Sequence, residues 1–360
     1  MISLASITEK TRCSERISDD DALFLFRSRD LLEIGAMSAL VNRKKNGDRV
    51  FFNVNRHINP TNICVNRCAF CAFSRTDNET GAYTYNLQEI EDRALEAFRQ
   101  GATEIHIVGG LHPDLPFEFY LEMLRRVKGI SPHLHIKAFT AVEIDYLAGI
   151  AGLTVSETIR QLIAVGLGSL PGGGAEIFNK SVRDVLCPEK ISGEKWLDIM
   201  KDVHQAGLKS NATMLYGHIE SYEDRIDHMK RLRELQDITG GFQVFIPLAF
   251  QKENNPIGHL KNPMTGGADD LKTLAIARIY LDNFANIKAY WVMLGEKIAQ
   301  VSLAFGVNDL DGTVVEERIG HEAGASSPQA MSREDIVTMI RKAGRVPVER
   351  DTLYNELKVL

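Results

Sequence analysis

No apolar run in this chain approaches the roughly 18 residues that a membrane-crossing helix requires, and the stretch from Met1 to Ser14 scatters polar residues where a signal peptide would carry an apolar core. Both absences predict a cytoplasmic protein. An excess of basic charge is also missing. The 42 Lys and Arg stand against 48 Asp and Glu, a formal net charge of −6, so no positive field invites nucleic acid. Linkers rich in Pro, Gly or Ser, low-complexity tracts and long repeats are absent as well. Cysteine is scarce, and three of the five crowd into eight residues, which argues against a disulfide framework and for thiols kept reduced for a metal.

That crowded stretch is Cys64-Val65-Asn66-Arg67-Cys68-Ala69-Phe70-Cys71, with CxxxCxxC spacing. Thiolates are soft ligands suited to iron-sulfur clusters or to zinc. Three thiolates around a [4Fe-4S] cube leave one iron open to a small molecule, which is a catalytic arrangement, since an electron carrier closes all four positions. Zinc would need a fourth ligand, for which His57 is a stand-in. Cys13 and Cys187 lack a CxxC partner and read as free thiols.

The rest of the chain alternates strand and helix. A helical prelude over Ile17–Asn46 has caps at Ser18 and Asp19, and extended residues from Arg49 to Asn62 run into the cysteine loop. Asn86 with Glu89 resembles a capping box opening a helix that ends at Gly101. Further strands are predicted at Glu104–Val108, Leu134–Phe139, Leu167–Leu170, Lys209–Met214, Phe242–Ile246 and Ile287–Val292, with helices between them. The acidic runs Asp19-Asp20-Asp21 and Asp269-Asp270 read as helix N-termini.

Seven or eight such units predict an α/β protein, a (βα)8 TIM-type barrel with N-terminal helical and C-terminal extensions. The expected divisions are 1–48, 49–310 and 311–360. Barrel active sites lie at the C-terminal ends of the strands. The cysteine loop, Gly109-Gly110, Gly172-Gly173-Gly174-Ala175-Glu176, Gly217-His218 and Pro247-Leu248-Ala249 all fall there.

The cysteine spacing, with Phe70 before the last thiol, in a loop after the first barrel strand, resembles the radical S-adenosylmethionine (SAM) superfamily. The resemblance implies a [4Fe-4S] cluster on Cys64, Cys68 and Cys71, SAM chelated to the open iron, and release of methionine with a 5′-deoxyadenosyl radical. It also implies that Gly109-Gly110 meets the methionine amino group through its backbone, although a tight turn would use the same pair. Glu176 is expected at the SAM ribose and Pro247 beside adenine.

Flanking stretches carry a finer resemblance: Arg56-His57-Ile58-Asn59, Gly110-Leu111-His112-Pro113, Ser169-Leu170-Pro171, Met214-Leu215-Tyr216-Gly217-His218 and Glu317-Arg318-Ile319-Gly320-His321-Glu322-Ala323-Gly324-Ala325. They are similar to the aminofutalosine synthases of the futalosine route to menaquinone. Two sister groups share several of them and stand as alternatives, the dehypoxanthine futalosine cyclases and the enzymes making the deazaflavin precursor of F420. An electron carrier is the alternative from another class.

The synthase resemblance implies that SAM is consumed, its deoxyadenosyl radical adding to 3-[(1-carboxyvinyl)oxy]benzoate to give 6-amino-6-deoxyfutalosine. It also implies a low-potential electron donor of flavodoxin or ferredoxin type. Two substrate carboxylates call for cations. Arg56, His57, His112, His218, Arg318 and His321 are the candidates. Arg56 and His57 must point to opposite faces of their strand, and His57 is expected inside, with Arg318 on a carboxylate; His57, Arg318 and His321 are the expected catalytic residues.

Overall fold

The computed structural model describes residues 2–262 and 265–360; Met1, which opens the N-terminal reading above, lies outside them. Eleven strands are described: β1 (Arg49–Asn53), β2 (Asn55–Ile58), β3 (Glu104–Ile107), β4 (His135–Ala138), β5 (Leu167–Leu170), β6 (Lys209–Tyr216), β7 (Phe242–Ala249), β8 (Asn286–Ile287), β9 (Asp309–Gly312), β10 (Val346–Arg350) and β11 (Glu356–Val359). β2 to β8 form one parallel sheet in sequence order, while β11-β10-β1-β9 form a second.

The predicted α/β barrel is therefore built from seven hydrogen-bonded strands, and the eighth place is filled differently. Residues 308–315 run between the two sheet edges. On one side Ala289 N–H donates to Asp309 C=O at 2.9 Å and Asn308 N–H to Ile287 C=O at 3.2 Å. On the other, His57 N–H donates to Val315 C=O at 2.9 Å, and the Thr313 hydroxyl bonds Asn55 C=O at 2.8 Å. Because one segment touches both edges, the sheet must curl.

The extended run predicted from Arg49 divides at Val54. Arg49–Asn53 joins the C-terminal strands, with Val50 beside Pro347 and Phe51 beside Val348, and only Asn55–Ile58 enters the barrel. The strand predicted over Ile287–Val292 also contracts to Asn286–Ile287, since Trp291–Leu294 turns into a short helix.

Helix ends follow the chain's own polar signals. Asn86 accepts from Glu89 N–H and the Glu89 carboxylate accepts from Asn86 N–H, starting helix Leu87–Arg99; Gly101 adopts φ +88° just past its end. Ser18 and Asp21 do the same for Asp19–Arg27. A helix absent from the sequence reading, Ala141–Ala151, opens on the same Thr-x-x-Glu device, Thr140 and Glu143. The apolar core lies between the sheet and this helical layer, from Ile105, Ile136 and Leu170 on the strands to Leu124, Leu147, Ile159 and Trp196 on the helices, all at most 1% exposed.

Candidate active site

The cysteine loop is fastened through its backbone to the segment after β3, to its own continuation and to the end of helix Lys180–Leu186. Gly110 N–H donates to Thr61 C=O at 2.8 Å, Val65 N–H to Leu111 C=O at 2.9 Å, Cys64 N–H to Arg75 C=O at 3.1 Å and Ala69 N–H to Leu186 C=O at 2.8 Å. The Arg67 N–H donates to the Glu189 carboxylate. A Cβ on Gly110 would lie 2.1 Å from the Ile63 carbonyl oxygen, so only glycine lets the end of β3 pass this close to the loop.

Cys64, Cys68 and Cys71 all line one cavity of about 300 Å³ at the C-terminal ends of the strands. Burial raises the Cys64 thiol above its ordinary value and pushes Cys68 up to about 12, so a metal must displace their protons to gain thiolates. Among the described residues no three His, Cys, Asp or Glu side chains are grouped as ligands of a single ion. A four-iron cluster would instead take each of the three thiolates on a different iron. Three soft donors on a loop pinned at both ends, opening into a cavity, fit that group.

Phe70, Gly109, Gly110 and Glu176 line the same cavity, as does His57. The Glu176 carboxylate accepts from Lys190 Nζ at 2.7 Å, and that ammonium stands 5.1 Å from the Phe70 ring centre. Gly172 and Gly174 take φ of +81° and +82°, and Glu176 itself takes φ +48°, an uncommon conformation for a side-chain-bearing residue. Arg183 holds this turn by donating to Ala175 C=O at 2.6 Å, and Trp196 Nε1 donates to Gly173 C=O at 3.0 Å.

The other candidates stand elsewhere. Pro247 is buried in β7 and does not line the cavity, although Ile246, Leu248 and Ala249 do. Arg318 lies over the Tyr83 and Tyr85 rings at 5.0 and 5.9 Å, outside the lining. His321 is also outside it. Its Nδ1 bonds Glu317, 2.8 Å from the carbonyl and 3.1 Å from the carboxylate, which raises its pKa to about 9. Arg56 is outside the lining, pairing with Glu316 at 2.9 Å and Glu96 at 3.2 Å. His112 and His218 are buried in loop hydrogen bonds to Asp114 N–H and Leu215 C=O.

Several lining residues escaped the sequence reading, chiefly His106, Lys137, Glu143, Lys190, Lys288 and Asp311. The available signal was a polar residue between apolar ones in a strand, as in Ile136-Lys137-Ala138. Glu143 is the most informative. Besides capping its own helix it accepts from Gly109 N–H at 3.1 Å, and burial raises its carboxyl to about 7.

Comparison with known proteins decides the family. The radical SAM superfamily matches residues 58–232, and the CofH/MqnC C-terminal region matches residues 239–360. Aminodeoxyfutalosine synthase from Thermus thermophilus is 46% identical over 99% of this chain and 96% of its own length. The chain belongs to the radical SAM superfamily. It is therefore an enzyme that uses a [4Fe-4S] cluster and SAM. A 5-amino-6-(D-ribitylamino)uracil–L-tyrosine 4-hydroxyphenyl transferase from Methanopyrus kandleri is also 46% identical, over 87% of this chain and 86% of its own. In fold the chain is similar to the FeFe-hydrogenase maturase HydG from Carboxydothermus hydrogenoformans, with a TM-score of 0.76 and 17% identity over 98% of this chain and 80% of that one. No helix among the described residues is long and apolar enough to cross a membrane.

Proposed function

We propose that this radical SAM enzyme adds the 5′-deoxyadenosyl group of SAM to 3-[(1-carboxyvinyl)oxy]benzoate, forming 6-amino-6-deoxyfutalosine for menaquinone biosynthesis. The observation that carries this reading is similarity to an aminodeoxyfutalosine synthase along nearly the whole of both chains. When bound, the reduced cluster supplies the electron that splits SAM into methionine and a reactive 5′-carbon. Cys64, Cys68 and Cys71 would hold the cluster, and Gly109, Gly110 and Glu176 would position SAM. The apolar part of the lining, including Val108, Leu215, Ile246, Leu248, Phe250 and Met293, would keep water from the radical. A low-potential flavodoxin or ferredoxin as donor, and a cytoplasmic location, belong to the same proposal.

The test is anaerobic turnover with SAM, dithionite and the carboxyvinyloxybenzoate, followed by mass spectrometry. Product containing the adenosyl carbon skeleton and free methionine is expected. The archaeal relative raises a second reading, and the same assay with L-tyrosine and 5-amino-6-(D-ribitylamino)uracil addresses it. Coupling of those two, without adenosyl incorporation, would replace the synthase assignment.

A further inference from the structure

The inward faces of β2, β3 and β4 carry polar side chains where barrel interiors ordinarily carry branched apolar ones. Register places His57 beside His106 and His106 beside Lys137, so the three share one face. The two imidazole rings lie 4.2 Å apart between centres. Lys288, next after β8, and Asp311 of β9 reach the same cavity. His57, Lys137, Lys288 and Asp311 are all more than nine-tenths buried.

These groups have fewer partners than their chemistry allows. An ammonium carries three N–H donors, yet among the described residues Lys137 donates to one acceptor, Glu104 Oε2 at 2.7 Å. Lys288 donates to Asp311 Oδ1 at 2.7 Å, with Asp309 farther off at 3.6 Å. His57 Nε2 is buried with no hydrogen-bond partner among the described residues. Buried donors left unmet are unfavourable, which makes this end of the cavity a place for an oxygen-rich anion.

Electrostatics point the same way. Burial lowers the Lys137 pKa and Lys288 lowers it further, against the pull of Glu104. Burial also lowers His57, with Glu317, Asp311 and Glu104 pulling it up and Lys137 pushing it down. An incoming anion would relieve the repulsion between the two ammoniums. Lys137, Lys288 and His57 all act on the one Asp311 carboxylate and so gather at one end of the cavity, while the lining as a whole is largely apolar. A flat apolar body with an anionic group at the end that meets these cations matches that arrangement.

We propose that Lys137, Lys288 and His57 Nε2 together bind one carboxylate of an aromatic dicarboxylate substrate, an inference that rests on the functional reading above and gives it its contact residues. The probe is isophthalate, an unreactive benzene dicarboxylate, titrated calorimetrically into anaerobically reconstituted enzyme loaded with SAM. Lys288→Met and Lys137→Met should each weaken it about tenfold or more, the size of a lost charge-assisted hydrogen bond. Lys288→Arg should stay within about threefold of wild type. Dimethyl isophthalate should not distinguish the variants. The SAM-induced change in the EPR spectrum of the reduced cluster reports that each variant is folded; should Lys137→Met fail it, the two Lys288 variants decide. Isophthalate affinity equal to wild type in Lys288→Met, or ester binding weakened as much as the diacid, overturns the inference. Wild-type turnover of the carboxyvinyloxybenzoate is scored separately, so lysine-dependent affinity without turnover would leave the anion site standing and remove only the substrate assignment.

Discussion

At the scale of single residues, the glycine pair after β3 separates two kinds of constraint. The Gly110 position faces backbone, its virtual Cβ 2.1 Å from the Ile63 oxygen, whereas at Gly109 the nearest atom is 3.1 Å away. Neither the oxygen nor the loop that carries it can give way without moving Cys64. Gly110→Ala is therefore expected to cost about 1–3 kcal/mol and to lower iron content after reconstitution, and Gly109→Ala to do less of both. Thermal melts and iron analysis of the two variants check this; equal losses would refute it. His321 offers a pH test. Its pKa is raised from the ordinary 6.5 to about 9 because the Glu317 carboxylate accepts from the protonated ring. The pair's stabilisation is accordingly complete below about pH 6.5 and fades as pH rises through 9. Denaturant midpoints at pH 6, 7.5 and 9 should fall more steeply for wild type than for His321→Ala. That the three cysteines come together at one cavity was legible in the sequence because it follows from their local spacing. Lys137 and Lys288 were not, since a charged residue in a short strand reads as solvent-facing until the sheet closes around it.

Elements were legible where the chain marks its own ends. Ser18, read as an N-cap, and the capping pair Asn86/Glu89 gave helix starts because such signals are local, whereas the partner of Ser18 is Asp21 and Asp19 already lies inside the helix. The sequence reading missed helix Ala141–Ala151, whose nearly continuous apolar face from Ala141 to Leu147 lacks a clear polar stripe, even though Thr140 and Glu143 mark its start. Contacts between elements were beyond reach, and Arg225 shows why. This buried guanidinium of helix Tyr222–Thr239 bonds Glu220 at 2.9 Å, Asp269 at 3.0 Å and Thr273 at 2.8 Å, joining its helix to Gly267–Tyr280. Nothing in the local pattern around residue 225 names partners more than 40 positions away. Arg225→Met would leave Glu220 and Asp269 as buried carboxylates without their cation. A loss of about 3–5 kcal/mol is expected, measured by urea unfolding, with cluster content preserved in the folded fraction because the pair lies outside the cysteine loop.

On the scale of the whole molecule, alternating strand and helix predicted a barrel, while the means of its closure depended on residues far apart in the chain. The segment 308–315 occupies the gap between β8 and β2, and its β9 portion is held from the opposite side by the C-terminal extension. Arg350 of β10 is 1% exposed and donates to the Asp309 carboxylate at 2.8 Å. Thr352 donates to Glu104 at 2.7 Å, and Glu104 in turn holds Lys137. The tail therefore secures from below both the closing segment and one of the cations at the cavity floor. Arg350→Met should cost about 3–5 kcal/mol by stranding Asp309, and the effect should be uneven. Amides that close the gap, Ala289 donating to Asp309 and His57 donating to Val315, should exchange with solvent faster, because their opening would no longer require breaking a buried ion pair. Amides between β6 and β7, which share seven register pairs away from the gap, should change only by the global loss. Hydrogen exchange read at peptide resolution on the reconstituted enzyme distinguishes the two. Uniform acceleration across both regions would mean that Arg350 supports the fold as a whole, and selective acceleration at 57 and 289 would identify the tail as the lock on the barrel seam.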